Sequence, residues 1–521
     1  MTTESALNIN FSTRLPVNIL LNVVYFGLNV IIGLLLVPFF LDTLGTVAYG
    51  LIPLATSLTS YINLLVSCIN ISVSRFLTLD IHRADAQKAN ITFNSALFGT
   101  LAIVLILLPI ALILAWFSPD IFSTGSIPRT EVVLLFAMIF VSMLTTTWAA
   151  NFMTPMIAYN RFDYKNYVDI IRLGTQISLI IILFNLFTPS LISVGIAYVS
   201  ASFVGLGAAY YFSRKVASLL TINPRLATYS RFIEVGRLAF WEGINSLSWY
   251  LVAGISLMIV NILFGAEEGT RYSFVITWFA LVLSISGLLI PLFVPMIYNY
   301  FAKKDINGMV SFSSFATKCM GIFLALPIAL LCIFSPQLMT LWVGKEYANL
   351  ALLVWIILTP LVLKVQQSCL TAITTAYLKV HIKAVIGVGL GVLNIILACT
   401  LPFIFDIGVY GVAIAGSISL LILTGIVEPF YDAYLVHKSP MVFLKPMIVA
   451  MICFFVLAII GSIISNLLQI DSIISVILIS ALISVIYLLF VLKLLFSKPE
   501  RDLIRICMPT KVEKYIPKWI L

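Results

Sequence analysis

Long apolar runs recur from one end of the chain to the other, and each exceeds the roughly 18 residues that a membrane-spanning helix needs. Inside hydrocarbon, an apolar run of this length satisfies its backbone N–H and C=O groups by being helical. Hydrophobic side chains make up 61% of the 521 residues and charged ones only 10%, which is too little polar surface to coat a water-facing globule. The sequence therefore predicts an all-α, membrane-embedded bundle.

The positions of these runs predict about 14 transmembrane helices. The first run is too long for the core of a signal peptide and has no small-residue cleavage site after it, so we expect the mature protein to keep it. The predicted spans lie near residues 16–41, 47–74, 89–116, 131–158, 170–187, 190–213, 236–264, 273–300, 312–334, 348–376, 380–404, 408–434, 443–467 and 473–497.

Lys and Arg are distributed unevenly over the connections between these spans. One side holds only Arg129, Arg271 and Lys345. The other side holds Arg75, Arg83, Lys88, Arg161, Lys165, Arg214, Lys215, Arg225, Arg231, Lys303, Lys304, Lys379, Lys383, Lys438 and Lys445. Cationic connections resist translocation, so the sequence predicts that the N- and C-termini lie in the cytoplasm. We expect the membrane to be a prokaryotic plasma (inner) membrane. The net charge of +9 suits contact with anionic membrane lipids rather than with nucleic acid.

A weak internal repeat has an offset of about 217 residues. Ser118-Pro119 corresponds to Ser335-Pro336, and Ala158-Tyr159 corresponds to Ala376-Tyr377. Six spans in each copy give both copies the same orientation, which is expected to leave a cavity between the halves. The predicted organisation is a six-helix bundle over 1–220, a second over 221–438, two additional helices over 439–497 and a basic cytoplasmic tail over 498–521.

The first two predicted spans carry a set of short motifs: Val37-Pro38-Phe39-Phe40-Leu41, then Leu44-Gly45-Thr46-Val47-Ala48-Tyr49-Gly50, and finally Ser74-Arg75. This opening resembles the polysaccharide-transporter branch of the multidrug/oligosaccharidyl-lipid/polysaccharide (MOP) flippase superfamily, the Wzx-type O-antigen flippases. The resemblance implies two pseudo-symmetric six-helix lobes plus two C-terminal helices. It further implies alternating-access export of an undecaprenyl-diphosphate-linked oligosaccharide to the outer leaflet, with a proton or sodium ion and glycan polymerase machinery as partners.

Lys364 is the clearest candidate for contact with such a substrate, because a cation in the middle of an apolar span is costly and tends to face a cavity. Gln367 and Thr371 follow three and seven residues later, which places all three side chains on one helix face. We predict that this face binds diphosphate or sugar. The alternatives are that Lys364 snorkels toward the cytoplasm or forms a structural ion pair.

The first half of the seventh span is unusually polar. Arg237 and Trp241 lie one helical turn apart, and a guanidinium can bind diphosphate oxygens while an indole stacks on a sugar ring. Both are therefore predicted to contact the head group. The alternative is that Glu234 and Arg237 only pair with each other near the membrane interface.

Two acidic residues interrupt apolar spans and are candidates for ion coupling. Glu242 in the seventh span and Glu428 in the twelfth could each take up a proton or sodium ion, or could instead neutralise a nearby cation. Arg75 and Arg172, placed at the cytoplasmic ends of the second and fifth spans, are weaker substrate-binding candidates because topology alone explains cations there.

The sequence contains no spacing of His, Cys and carboxylates that suggests a metal site, and no glycine-rich phosphate-binding loop, so it predicts neither a cofactor nor enzymatic activity. Two other transport functions stay open: a drug/cation antiporter of the same superfamily and a lipid-linked peptidoglycan precursor flippase. A membrane-embedded glycan polymerase is the least favoured alternative, because such enzymes carry a large external loop that this chain lacks.

Overall fold

The computed structural model describes residues 3–82, 85–159, 161–377, 379–467, 472–496 and 500–501. All regular elements in these ranges are helical, which confirms the predicted all-α class. The first nine α-helices are α1 Thr3–Leu44, α2 Thr46–His82, α3 Ala86–Ile121, α4 Arg129–Ala158, α5 Phe162–Leu186, α6 Leu191–Val216, α7 Tyr229–Trp249, α8 Ser256–Phe264 and α9 Ala266–Ala302. The remaining nine are α10 Ile306–Ile333, α11 Ser335–Trp342, α12 Ala351–Leu358, α13 Leu361–Ala376, α14 Val380–Ile404, α15 Val409–Ile422, α16 Glu428–Leu435, α17 Met441–Leu467 and α18 Ile473–Leu494.

Twelve helical stretches among the described residues are long and apolar enough to cross a membrane. Gly243–Gly254 and Ser256–Phe264 meet at a bend of 41° and together are long and apolar enough to make a thirteenth span if they cross as one. In addition, α2 is 37 residues long, and its described apolar part is Thr46–Thr59. The architecture is therefore consistent with the predicted number of about 14 transmembrane helices.

The last two helices, α17 and α18, have an apolar outer surface. Large apolar side chains cover their outer surface: Leu467 is 78% exposed, Ile474 69% and Leu478 65%. A continuous apolar surface of this kind is unfavourable in water but is the normal surface of a helix in contact with lipid. The chain is a multi-pass membrane protein.

Proline and glycine account for the main interruptions of the helices. Gly45 joins α1 to α2 with a φ of 82°, a left-handed conformation that residues with a Cβ rarely adopt. Pro360 separates α12 from α13 because it has no N–H to donate and its ring crowds the preceding turn. Before Pro429, residues Leu423–Val427 widen into a π-helical turn that joins α15 to α16.

The helix bounds recur at the offset found in the sequence. Shifting α5 by about 217 residues gives 379–403, and α14 runs over Val380–Ile404. The same shift takes α6 to 408–433, where α15, the π-helical turn and α16 together run from Val409 to Leu435. The lobe boundaries at 220 and 438 stay a prediction.

The chain packs as two compact units. The first unit comprises Met1–Ser273 together with Gly387–Val392. The second unit comprises Phe274–Ile386 together with Leu393–Leu521. In the first unit, Phe93 of α3 and Phe152 of α4 meet edge to face in a core that also contains Val168 of α5 and Ala209 of α6. In the second unit, α10 is the most deeply buried of the described spans, with 67% of the residues in its most apolar stretch buried.

The start of the fifth span differs from the sequence prediction. The apolar run begins near residue 170, but α5 begins at Phe162. Its first two turns are polar and remain helical because Lys165 pairs with Asp169 at i,i+4, at 2.9 Å. The prediction that Arg172 lies at the helix end is therefore wrong. Arg172 lies ten residues after the start of α5, about 15 Å along the helix axis at 1.5 Å per residue.

Candidate functional site

A buried ion pair joins two helices of the second unit. Lys383, in the first turn of α14, directs its Nζ to both carboxylate oxygens of Asp432 in α16, at 3.2 and 3.3 Å. Only 4% of the Lys383 side chain is exposed, and Asp432 is fully buried. Two opposite charges that are held this far from the surface compensate each other, because either one alone would be strongly unfavourable there.

Gln367 and Glu428 complete this group, which we call the α13–α14–α16 cluster. The Gln367 amide nitrogen donates a hydrogen bond of 2.8 Å to Asp432 Oδ2. Glu428 precedes Asp432 by four residues, is 7% exposed and interacts electrostatically with both Lys383 and Asp432. Two buried acceptor oxygens of the cluster, Glu428 Oε2 and Gln367 Oε1, have no hydrogen-bond partner among the residues that the structure describes. The cluster thus contains two carboxyl groups, one ammonium group and unused acceptor capacity.

The local sequence explains why these groups converge. Pro429 cannot donate a backbone hydrogen bond, and the π-helical turn Leu423–Val427 accommodates this before α16 begins at Glu428. The i,i+4 spacing of Glu428 and Asp432 then places both carboxyl groups on one face of α16. Lys383 was assigned by sequence to a cytoplasmic connection and Asp432 was not noticed; the i,i+4 acidic pair within an apolar span was the available signal.

Lys364 lies on α13, in the same unit. It is partly buried and directly follows the break at Pro360, whose carbonyl accepts from the Lys364 backbone N–H at 3.3 Å. Gln367 and Thr371, the other two residues of the predicted polar face, form hydrogen bonds within the protein. Gln367 donates to Asp432, and the Thr371 hydroxyl donates to the Ser368 carbonyl at 2.8 Å.

Two of the polar residues of α7, Glu234 and Trp241, have local partners. Glu234 pairs with Arg231 at 2.8 Å, one turn away. Trp241 is 42% exposed and packs edge to face against Phe240, with ring centroids 5.4 Å apart. The side chains of Arg237 and Glu242 lie outside the described part of the chain, so their predicted roles stay predictions.

The two remaining arginine candidates have different positions. The Arg75 side chain also lies outside the described part, on α2 seven residues before the helix ends at His82. The stem of Arg172 packs over Gly205 of α6, where an added Cβ would lie 3.3 Å from the Cβ, Cγ and Cδ atoms of Arg172. Of the predicted site residues, Gln367 and Glu428 both belong to the α13–α14–α16 cluster around Asp432. Arg172 belongs to the first unit. Among the described residues, no three His, Cys, Asp or Glu side chains converge as metal ligands.

The chain is similar along most of its length to a known membrane protein, although no protein-family model matches it. The chain is 26% identical over 492 residues to the uncharacterized membrane protein EpsK of Bacillus subtilis (strain 168), which covers 94% of this chain and 97% of that protein.

Two solved structures show that the fold is one already known for membrane transport. The inward-facing conformation of a multidrug resistance MATE family transporter of the MOP superfamily superimposes with a TM-score of 0.63 at 13% identity, over 80% of this chain and 98% of that one. The lipid II flippase MurJ, in an inward closed conformation, superimposes with a TM-score of 0.59 at 15% identity, over 93% of this chain and 100% of that one. This chain has the fold shared by this transporter and this flippase.

Proposed function

We propose that this chain is a flippase that carries an undecaprenyl-diphosphate-linked oligosaccharide, the repeat unit of a surface polysaccharide, from the cytoplasmic to the outer leaflet. The observation that carries the proposal is the fold shared with the lipid II flippase MurJ over 93% of this chain and all of that one. MurJ is named for a lipid-linked substrate, and the opening motifs from Val37 to Arg75 point to the polysaccharide branch of the same superfamily.

A drug/cation antiporter is the second candidate, and the TM-score favours it slightly: 0.63 for the MATE transporter against 0.59 for MurJ. The coverage favours the flippase, because the MATE superposition accounts for 80% of this chain and the MurJ superposition for 93%. The two C-terminal helices α17 and α18 are additional to two six-helix lobes, and they would supply a surface along which a long polyprenyl tail could travel.

A lipid-linked peptidoglycan precursor flippase is a close variant and differs in the head group that the site accepts. A glycan polymerase is disfavoured by the connections between helices. From α1 to α18, the longest connection runs from Val216 to Tyr229, which is too short to fold as a catalytic domain.

The driving ion is proposed to act at the α13–α14–α16 cluster. Lys383 already neutralises Asp432, so Glu428 is the carboxyl group left to bind a proton or a sodium ion. Its Oε2 atom is buried and has no hydrogen-bond partner within the described part of the chain, and a buried acceptor without a donor is unfavourable unless it is protonated or bound by another group. Ion binding at Glu428 would therefore change the charge of a site that links three helices.

In the second unit, the residues proposed to contact the diphosphate head group are Lys364 and Gln367. In the first unit, the residues proposed for such contacts are Arg75, Arg172, Arg237 and Trp241. The proposed orientation has both termini in the cytoplasm of a cell whose inner membrane contains the protein. Lys165, Lys215, Lys303 and Lys438 would then lie next to the anionic inner leaflet.

The decisive experiment is deletion of the gene in its native host, followed by extraction of the lipid-linked intermediates. The flippase proposal expects undecaprenyl-diphosphate-linked repeat units to accumulate on the cytoplasmic leaflet while surface polysaccharide declines, and expects the wild-type chain to reverse both changes. Normal lipid-linked intermediates with reduced efflux of cationic dyes would support the antiporter. Completed repeat units that reach the outer leaflet without being polymerised would support the polymerase.

A further inference from the structure

The segment between α6 and α7 is held along its length by side chains of α3. It contains one short 3-10 turn, Pro224–Leu226, and on either side of it the backbone is extended, with φ of −145° at Asn223 and −121° at Thr228. By sequence this stretch reads only as a basic connection. In the structure, its backbone polar groups bind specific side chains of the first unit.

Asn90 and Asn94 bind this segment through their amide groups. Asn90 donates to the Leu219 carbonyl at 3.0 Å and accepts from the Thr221 N–H at 2.7 Å. Asn94 donates to the Thr221 carbonyl and accepts from the Asn223 N–H, both at 2.8 Å. Each asparagine thus pairs with the backbone as a neighbouring strand would.

The spacing of these contacts matches the geometry of the two elements. Asn90 and Asn94 are four residues apart on a helix, a rise of about 6 Å. The positions they bind are two residues apart on an extended chain, a rise of about 6.6 Å. The near equality of the two rises fixes the register of the segment on α3, because a shift by one residue would turn the bonded groups away.

The same attachment continues to the start of α7. Ser95 Oγ accepts from the Thr228 N–H at 2.9 Å. Arg231 then binds Asp80 of α2 at 2.9 Å and Thr92 of α3 at 3.0 Å, and its guanidinium lies 4.6 Å from the ring of Phe76. Asp80 is buried, so salt screens this ion pair less than it would screen an exposed one.

We propose that Leu219–Thr228 is a strap that stays bound to α3 throughout the transport cycle, and that Asn90, Asn94, Ser95 and Arg231 are positioning residues for the head-group contacts of α7. This inference rests on the proposed function. Arg237 follows Arg231 by six residues on one helix, about 9 Å along its axis, so the position of the helix start determines where Arg237 and Trp241 lie. The strap moves with the first unit, and conformational change takes place elsewhere in the chain.

Hydrogen exchange in the full chain, reconstituted in lipid nanodiscs, tests the attachment independently of any substrate. The amide hydrogens of Thr221, Asn223 and Thr228 are expected to be protected although they belong to no helix. Asn94→Leu is expected to increase exchange in peptides covering the strap by about tenfold or more, whereas Asn94→Asp keeps the acceptor for Asn223 and is expected to retain part of the protection.

Asn185→Ala is the matched control, because the Asn185 amide donates to the Ile181 carbonyl of its own helix. Rapid exchange of the strap in the wild-type protein, or exchange that Asn94→Leu leaves unchanged, would refute the attachment.

Cross-linking tests whether the strap stays bound during transport. The hydroxyl oxygens of Ser95 and Thr228 lie 3.5 Å apart, so Ser95→Cys with Thr228→Cys suits a short membrane-permeant bis-alkylating reagent. Cells carrying the double variant are treated with the reagent, and newly exported surface polysaccharide is measured against both single-cysteine variants. Unchanged export after cross-linking is expected. Loss of export in the cross-linked double variant alone would show that the strap must leave α3 and would overturn the proposal. If the wild-type chain exports no polysaccharide, the proposed function fails and hydrogen exchange still decides the attachment.

Discussion

Lys383 and Asp432 form a salt bridge in which both carboxylate oxygens lie within 3.3 Å of a single ammonium nitrogen, with almost no solvent access to either side chain. They come from α14 and α16, and Gln367 adds α13 to the same group. A substitution at any of these positions therefore affects the packing of three helices and the charge balance around Glu428.

Lys383→Met is expected to destabilise the protein by about 3–5 kcal/mol, because it leaves Asp432 buried without its counter-ion. The double variant Lys383→Met/Asp432→Leu is expected to recover most of this loss, since replacement of a whole buried pair by apolar residues is often close to neutral. The measurement is the thermal unfolding midpoint of the purified protein in detergent.

The matched control for this pair is Arg129→Met. Arg129 and Asp120 form a salt bridge in which each side chain is 49% exposed, and solvent-exposed pairs contribute little to stability. Equal destabilisation by Lys383→Met and Arg129→Met would show that burial of the Lys383 pair has no energetic consequence.

Glu428→Gln is expected to stop ion-coupled export while leaving the amount of protein in the membrane unchanged. The amide has nearly the same shape as the carboxyl group but cannot exchange a proton or carry the charge that binds sodium. Export is measured as the rate at which surface polysaccharide reappears after its removal, with Glu131→Gln in the first turn of α4 as the control. Export at the wild-type rate by Glu428→Gln would exclude this residue from coupling, and partial recovery in Glu428→Asp would support it.

Lys364→Ala and Arg237→Ala are each expected to reduce export by about tenfold or more without loss of membrane insertion. A charge-assisted hydrogen bond to phosphate is worth roughly 1.5–3 kcal/mol, and 1.4 kcal/mol corresponds to a factor of ten. Lipid-linked intermediates and surface polysaccharide are quantified together with protein abundance. Lys303→Ala, which removes an exposed cation after α9, is the control. Normal surface polysaccharide in both test variants at wild-type abundance would remove these residues from the site.

The helices were predictable because each is long, apolar and obliged by the membrane to satisfy its own backbone. The ends were less predictable, because charged residues extend helices beyond their apolar runs when they find partners. At the start of α5, Asp163 pairs with Arg161 and Asp169 pairs with Lys165. Hydropathy counts these residues as connection, although local ion pairs keep most of them helical.

The candidate site was only partly predictable, because sequence shows that a charge is present but not which charge it meets. Glu428 was singled out, but Lys383 was read as a topology charge and Asp432 was not noticed. Lys318 on α10 was missed for the same reason: it binds Glu500 at 2.9 Å, a residue 182 positions later in the chain. Pairings over such distances depend on how the helices pack, which a single sequence does not specify.

Gly45→Ala is expected to lower the stability of the protein by roughly 1–2 kcal/mol, because a Cβ in the left-handed region approaches the following carbonyl oxygen. Gly45 has a φ of 82°, and an added Cβ would meet no other atom within 4 Å. The effect would therefore come from the backbone conformation alone. Gly207 in the middle of α6 has equally open surroundings but does not have a positive φ, so Gly207→Ala is expected to be neutral or stabilising. Thermal unfolding of both variants in detergent separates the two cases. Equal midpoints would show that the turn between α1 and α2 tolerates a side chain at this position.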